Sequence, residues 1–267
     1  MTAATATARR SPARPVSHTV ADAITVTWRN VLNVRRNPQL LVFATVQPIV
    51  FVLMFRYVFG GAIHIPGVSY VDFLMPGVFV QTVTFGSLQT GIGLAEDLNK
   101  GIIERFRSLP MARSAVLVGR TLADMLRNVF VIALMVVIGF AVGWTVNTNV
   151  VAMFAALGLV LAFAYSLSWV FAIVGLSSPD SETAQAASFP ILAPLVFASS
   201  AFVPVSTMPG WLQVFARNQP VTIVVDAVRA LTLGGPTSAA VLKALAWIVA
   251  IVAVCAPLAV ARYRKVV

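Results

Sequence analysis

Six long apolar runs, at about residues 39–59, 71–94, 121–143, 150–174, 183–202 and 239–261, restrict what this chain can fold into. A bilayer core about 30 Å thick takes about 20 apolar helical residues to cross, and each run is about that long. Of the 267 residues 59% are hydrophobic and only 10% charged, with a mean hydropathy of +0.89. Soluble domains carry about a quarter charged residues, so lipid must solvate this chain. The expected fold is an all-α integral membrane protein with six transmembrane helices.

The net charge of +10 does not mark a nucleic-acid binder, because the basic residues are not gathered on one face. They fall in short clusters between the apolar runs, as topology signals do. With the N-terminus inside, the inner segments hold Arg9, Arg10, Arg14, Arg29, Arg35, Arg36, Lys100, Arg105, Arg107, Arg113, Arg262, Arg264 and Lys265. The outer loops hold only Arg217 and Arg229, and Arg56, Arg120, Arg127 and Lys243 lie near helix ends, where long side chains can snorkel. Both termini are therefore expected in the cytoplasm. Residues 1–16 read as a disordered cytoplasmic tail, 17–261 as the transmembrane domain and 262–267 as a cytoplasmic C-terminal tail. The first stretch has no apolar core of the signal-peptide kind.

Residues 17–36 have an amphipathic pattern: Val20, Ile24, Trp28, Val31 and Leu32 recur at helical spacing, and Arg35 and Arg36 suit the C-terminal end. This reads as an interface helix on the inner membrane surface, with a soluble extension of the first span as the alternative. Residues 203–236 contain two candidate helices too short to cross. Trp211 lies in one, and Pro220 opens the other, where Val221, Val224, Val225, Val228 and Leu231 form an apolar stripe. Asp226 and Arg229 fall on its polar side at i,i+3. These read as short outer re-entrant helices; a plain outer loop is the alternative.

The segment 96–113, EDLNKGIIERFRSLPMAR, has dense charges of both signs. Glu96 with Lys100, and Lys100 with Glu104, are i,i+4 pairs, and Glu104 with Arg107 is i,i+3, so a short helix is expected. Ile102, Ile103 and Phe106 give it an apolar side. A positive-inside anchor would account for Lys100, Arg105 and Arg107, but not for Glu96, Asp97, Glu104 or Phe106. Docking of a partner accounts for all of them. Arg120, Asp124 and Arg127 share one helical face at the inner end of the third span. A charge deep in a membrane costs about 2.5–3.5 kcal/mol on insertion scales, so mutual neutralisation is the economical reading.

Some motifs are missing. None of the three lysines follows a glycine, so the chain carries no P-loop. Cys255 is the single cysteine, His18 and His64 flank the first run, and no carboxylate pair or Gly-x-Ser-x-Gly motif falls in or near the spans. Catalysis, a resident metal and any cofactor in this chain are therefore not expected. Without repeated halves or mid-span Asp, Glu or Lys, a secondary transporter is disfavoured too.

On these residues the chain resembles the membrane subunits of ABC-2-type exporters, in particular the daunorubicin/doxorubicin-resistance permease group. The resemblance rests on EDLNKGIIERFRSLPMARSAVLVGRTLADMLRN followed by NQPVTIVVDAVRAL, together with the six spans and the N-terminal amphipathic helix. It implies that 96–113 contains a coupling helix seated in a nucleotide-binding ATPase subunit, with 17–36 beside it and 203–236 closing the outer end. It also implies two permease chains, as homodimer or heterodimer, with two ATPase subunits that bind the ATP and Mg²⁺. The location implied is the plasma membrane of a bacterium, and the cargo a hydrophobic or amphipathic compound such as a drug or lipid. A glycan exporter of the same architecture, or a membrane scaffold without transport, are the alternatives.

Overall fold

The computed structural model describes residues 38–61, 67–101 and 113–266, together with Ile63 and Ile65. Among these residues the regular structure is helical throughout. Helix α1 covers Pro38–Met54 and passes into a π-helical turn, Phe55–Phe59; α2 covers Tyr70–Asn99, α3 Arg113–Ala141 and α4 Val150–Gly175. After α5 (Ser181–Phe197) come a 3₁₀ turn, Val205–Thr207, two short helices α6 (Gly210–Asn218) and α7 (Pro220–Leu233), and finally α8 (Thr237–Val266).

Local chemistry sets the starts. The side chains of Ser69, Asn149 and Asp180 accept the N–H of the third residue on, at Asp72, Ala152 and Thr183, and so satisfy one free donor at each N-terminus. At α7 the Gln219 side chain accepts from Val221 N–H, and Pro220 takes the first turn, where no N–H is needed. Gly234, at φ 97°, then ends that helix in a conformation that side-chain-bearing residues avoid.

Among the described residues four helices are long and apolar enough to cross a membrane: α2, α3 from Leu117, α4 and α8. Helices α1 and α5 have 17 residues each, a rise of about 26 Å at 1.5 Å per residue. The apolar run 183–202 is therefore not helical to its end, because the backbone turns at Ala198 and continues as a connector to Pro204.

Helix α2 is the centre of the bundle, with α1, α3, α4, α5 and α7 packed around it. Its contact with α4 is backbone against backbone. A Cβ on Gly91 would stand 2.5 Å from the Phe171 carbonyl oxygen, and one on Gly175 2.1 Å from that of Gly91. Small residues let membrane helices approach this closely, and Ser87 uses the proximity to donate to the Ala164 carbonyl at 2.9 Å. The larger core cluster lies around α2, α4 and α7 and includes Phe79, Phe163, Val224 and Val228. A second cluster joins Leu94, Leu117, Trp169, Leu176 and Tyr263 near the other end of α2. The C-terminal end of α8 thus lies on the same side of the bundle as the C-terminal end of α2.

Candidate functional site: a laced loop root and a clasp at the far end of α2

Two groups of charged residues lie at the two ends of α2. At the end leading into the 96–113 segment, Asp124 of α3 accepts a hydrogen bond from the Thr90 hydroxyl of α2 at 2.6 Å. Arg120 and Arg127 lie 3.7 and 3.6 Å from the same carboxylate, at the i,i+4 and i,i+3 spacing read in the sequence. Arg120 also donates to Asp97 at 3.2 Å, and Arg127 to the Gly86 carbonyl at 2.6 Å. The structure therefore brings Arg120, Asp124 and Arg127 together. Their partners Asp97, Thr90 and Gly86 belong to the neighbouring helix, which spacing along α3 does not reveal. Arg120 and Arg127 are turned inward onto α2, not extended toward the membrane surface, which corrects the snorkelling expected of them: carboxylate and carbonyl acceptors lie within reach of both.

Glu96 and Asp97 belong to the last turn of α2, which runs beyond the apolar stretch to Asn99. Lys100 donates to Glu96, and that bond raises its ammonium pKa above the ordinary value. Both side chains are about half exposed, so this pair stabilises little. Gly101, at φ 66°, ends the helix, so Lys100 lies at a helix end and not inside a separate helix starting at Glu96. Glu104, Arg105, Phe106 and Arg107 of the same segment lie outside the described residues, as do Trp28, Arg35 and Arg36 of the expected interface helix.

At the opposite end, α7 lies against the start of α2. Arg229 donates to the carbonyls of Phe73 at 3.0 Å, Ser200 at 2.6 Å and Ala201 at 3.2 Å. Its guanidinium sits 3.5 Å from the centre of the Phe73 ring. Pro76 withholds the N–H that would have bonded the Asp72 carbonyl, next to the Phe73 carbonyl that Arg229 takes. A Cβ on Gly77 would be 2.0 Å from the Ala201 carbonyl oxygen, so only glycine allows the connector to lie so close. The sequence places Asp226 and Arg229 together on a polar face. Asp226 is 53% exposed, but the Arg229 side chain is only 11% exposed. The i,i+3 pairing is present, with Arg229 Nη1 3.3 Å from Asp226 Oδ1, but the polar-face expectation for Arg229 is corrected: three backbone carbonyls pull it inward.

The rest of this end is laced in the same way. Asp72 accepts from the N–H of Thr145 at 2.6 Å and from its hydroxyl at 3.0 Å. Thr148 donates to the Leu231 carbonyl at 2.6 Å and the Tyr70 hydroxyl to that of Phe202 at 3.3 Å. Pro220 opens α7, while Trp211 of α6 is 77% exposed beside exposed Val214 and Phe215. The buried side of α6 is Ala216. This gives α6 an outward apolar stripe suited to a lipid surface.

Comparison with known proteins agrees in family. The ABC-2 type transporter family matches residues 22–233. The chain is 35% identical over 253 residues to a daunorubicin resistance ABC transporter permease protein of Streptomyces coeruleorubidus, covering 94% of this chain and 89% of that one. It is 25% identical over 248 residues to a probable doxorubicin resistance ABC transporter permease protein of Mycobacterium tuberculosis, covering 92% and 89%. A putative transport permease of Porphyra purpurea is 25% identical over 206 residues, covering 75% and 70%.

Proposed function

Because the chain belongs to the ABC-2 type transporter family, we propose that it is the membrane-spanning subunit of an ATP-driven exporter whose ATPase is a separate polypeptide. In this reading six helices cross a bacterial plasma membrane, α1 and α5 among them, and both termini face the cytoplasm. Two permease chains assemble with two nucleotide-binding subunits, which hold the ATP and Mg²⁺. The observation that carries the reading is the 96–113 segment. It begins on α2, the most enclosed helix of the bundle, returns into α3, and lies within the stretch matched by the family. A push on this segment reaches the helix that contacts five of the others. Helix α7 covers the far end of α2, α6 packs on α7, and the two line the exit.

The cargo is a hydrophobic or amphipathic compound, a drug or a lipid. The names of the relatives from Streptomyces and Mycobacterium support a drug. The outward stripe Trp211, Val214 and Phe215 suits a route opening at the outer leaflet. The test is a pull-down of the tagged chain from mild detergent, from cells that contain the candidate ATPase. A stoichiometric P-loop ATPase, lost with Phe106→Ala or Glu104→Arg at equal expression, is the expected result. Retention of no ATPase by the unaltered chain would replace this reading with that of a membrane scaffold.

A further inference from the structure

Residues 96–113 lead from the last turn of α2 to the first residue of α3, and what they act on depends on how these two roots are held. Asp97, in the last turn of α2, and Arg120, in the third turn of α3, meet at 3.2 Å although 23 residues separate them. Their side chains are 15% and 20% exposed, so water competes little for either. The guanidinium lies over Gly93: a Cβ there would be 1.5 Å from Arg120 Nη2. The missing side chain at Gly93 leaves the guanidinium its place beside Asp97.

Above the pair, Thr90 bonds Asp124 and Arg127 bonds the Gly86 carbonyl, so α2 and α3 are laced at Gly86, Thr90, Gly93 and Asp97. Beside it, Leu94 and Leu117 are fully buried against Trp169 and Tyr263. Asp97 and Asp124 balance Arg120 and Arg127. The seam thus carries no net charge to move, which disfavours an ion pathway and leaves a mechanical role.

We infer that the Asp97–Arg120 pair, seated on Gly93, staples the base of the segment so that it moves α2 and α3 as one body. An unstapled segment would lose a displacement in its own bending. A stapled one delivers it to both helices, and through Leu94 and Leu117 to α4 and α8. Asp97 and Arg120 are positioning residues: they set what the segment pushes on, not what it binds. The transport consequence rests on the exporter reading; the staple itself does not.

The test uses the full chain with Cys255→Ala and a nitroxide at Ser108→Cys, in lipid nanodiscs without any ATPase. Asp97→Asn and Gly93→Ala are each expected to narrow the spectrum, as the segment gains motion, while Asp97→Glu leaves it broad. Gly93→Ala keeps every charge and displaces only the guanidinium, so it decides the matter if Asp97→Asn does not fold. With the ATPase added, both variants should still hydrolyse ATP but lose the ATP-dependent change in maleimide labelling at Thr207→Cys. An unchanged spectrum in both variants, even with a lowered melting temperature, would reduce the pair to ordinary packing and overturn the staple. A wild-type chain that binds no ATPase would refute the exporter reading and leave the spectral result standing.

Discussion

Arg229 makes a prediction whose size follows from its partners. Three of its contacts are hydrogen bonds to carbonyls, and two of those carbonyls belong to Ser200 and Ala201, which are fully enclosed. Its fourth partner, Asp226 at 3.3 Å, is half in solvent. The carbonyls cannot recover water when the guanidinium goes, whereas the carboxylate can. An orphaned buried acceptor costs about 1–3 kcal/mol, and the cation–π contact with Phe73 adds about 0.5–2 kcal/mol. Arg229→Met, which keeps most of the volume, should therefore destabilise by about 3–5 kcal/mol, in the range for breaking a buried charged contact. Arg229→Lys should cost less, since a point charge reaches one or two of the three carbonyls that a planar fork serves.

Asp226→Asn is the informative comparison. The pair is exposed on the carboxylate side and worth at most about 1 kcal/mol. An amide keeps an acceptor for the Ser200 hydroxyl, now 2.8 Å from Asp226 Oδ1. Reversible unfolding in mixed micelles, with SDS as denaturant, would rank the variants. The reasoning requires Asp226→Asn to cost least, then Arg229→Lys, then Arg229→Met. If Asp226→Asn cost as much as Arg229→Met, the ion pair and not the carbonyl cradle would hold α7, and the argument would fail.

Three further outcomes can be checked. Gly91→Val should cost about 3 kcal/mol or more in the same assay, because the new side chain meets the Phe171 backbone and no side chain can yield. Gly158→Ala, with nothing within 4 Å, should be neutral or slightly stabilising; equal costs would contradict the close α2–α4 approach. Asp180 is held below the ordinary carboxylate pKa by the Thr183 backbone N–H. A depressed folded-state value gives stability that is present above the unfolded value of about 3.9 and lost as pH falls through the folded one. The difference between wild type and Asp180→Ala should therefore stay constant from neutral pH down to mild acid and shrink only below about pH 4, read by melting in nanodiscs. Finally, Asn147→Cys should react with an impermeant maleimide from outside intact cells and Ser108→Cys should not; the reverse would invert the orientation.

Much of the helical architecture was legible because crossing a bilayer imposes a length that composition displays directly. The ends were harder to read. Ala198 and Phe202 look like a continuing helix in the run 183–202, yet the chain turns at Ala198 because the connector that follows is held by Arg229, Gly77 and Thr222. Apolarity records what lipid tolerates, not whether a hydrogen-bond ladder continues. Arg120, Asp124 and Arg127 were legible as a set because one helix carries all three. Asp97 and Thr90 were not, since nothing in the spacing says which neighbour a helical face meets. Arg229 was misplaced on the polar side for a related reason: its partners are main-chain carbonyls, and every residue in a sequence has one.

Both charged sites converge on α2, and this convergence limits how the bundle can move. Thirty residues at 1.5 Å each make α2 about 45 Å long, enough to reach from the loop root to the α7 clasp without a break. Its lower half is fixed to α3 by the seam and to α4 by Gly91 against Gly175, so it cannot slide past either without breaking buried polar bonds. Its upper end is fixed by Tyr70, Asp72 and the Phe73 carbonyl to the connector, the α3–α4 loop and α7. The place where the ladder is missing a donor is Pro76, directly below that upper clasp. Bending there gives up no backbone hydrogen bond at position 76, because the donor is already absent. Sliding would break several at once, so bending is the lower-energy way for α2 to carry a displacement from one end to the other.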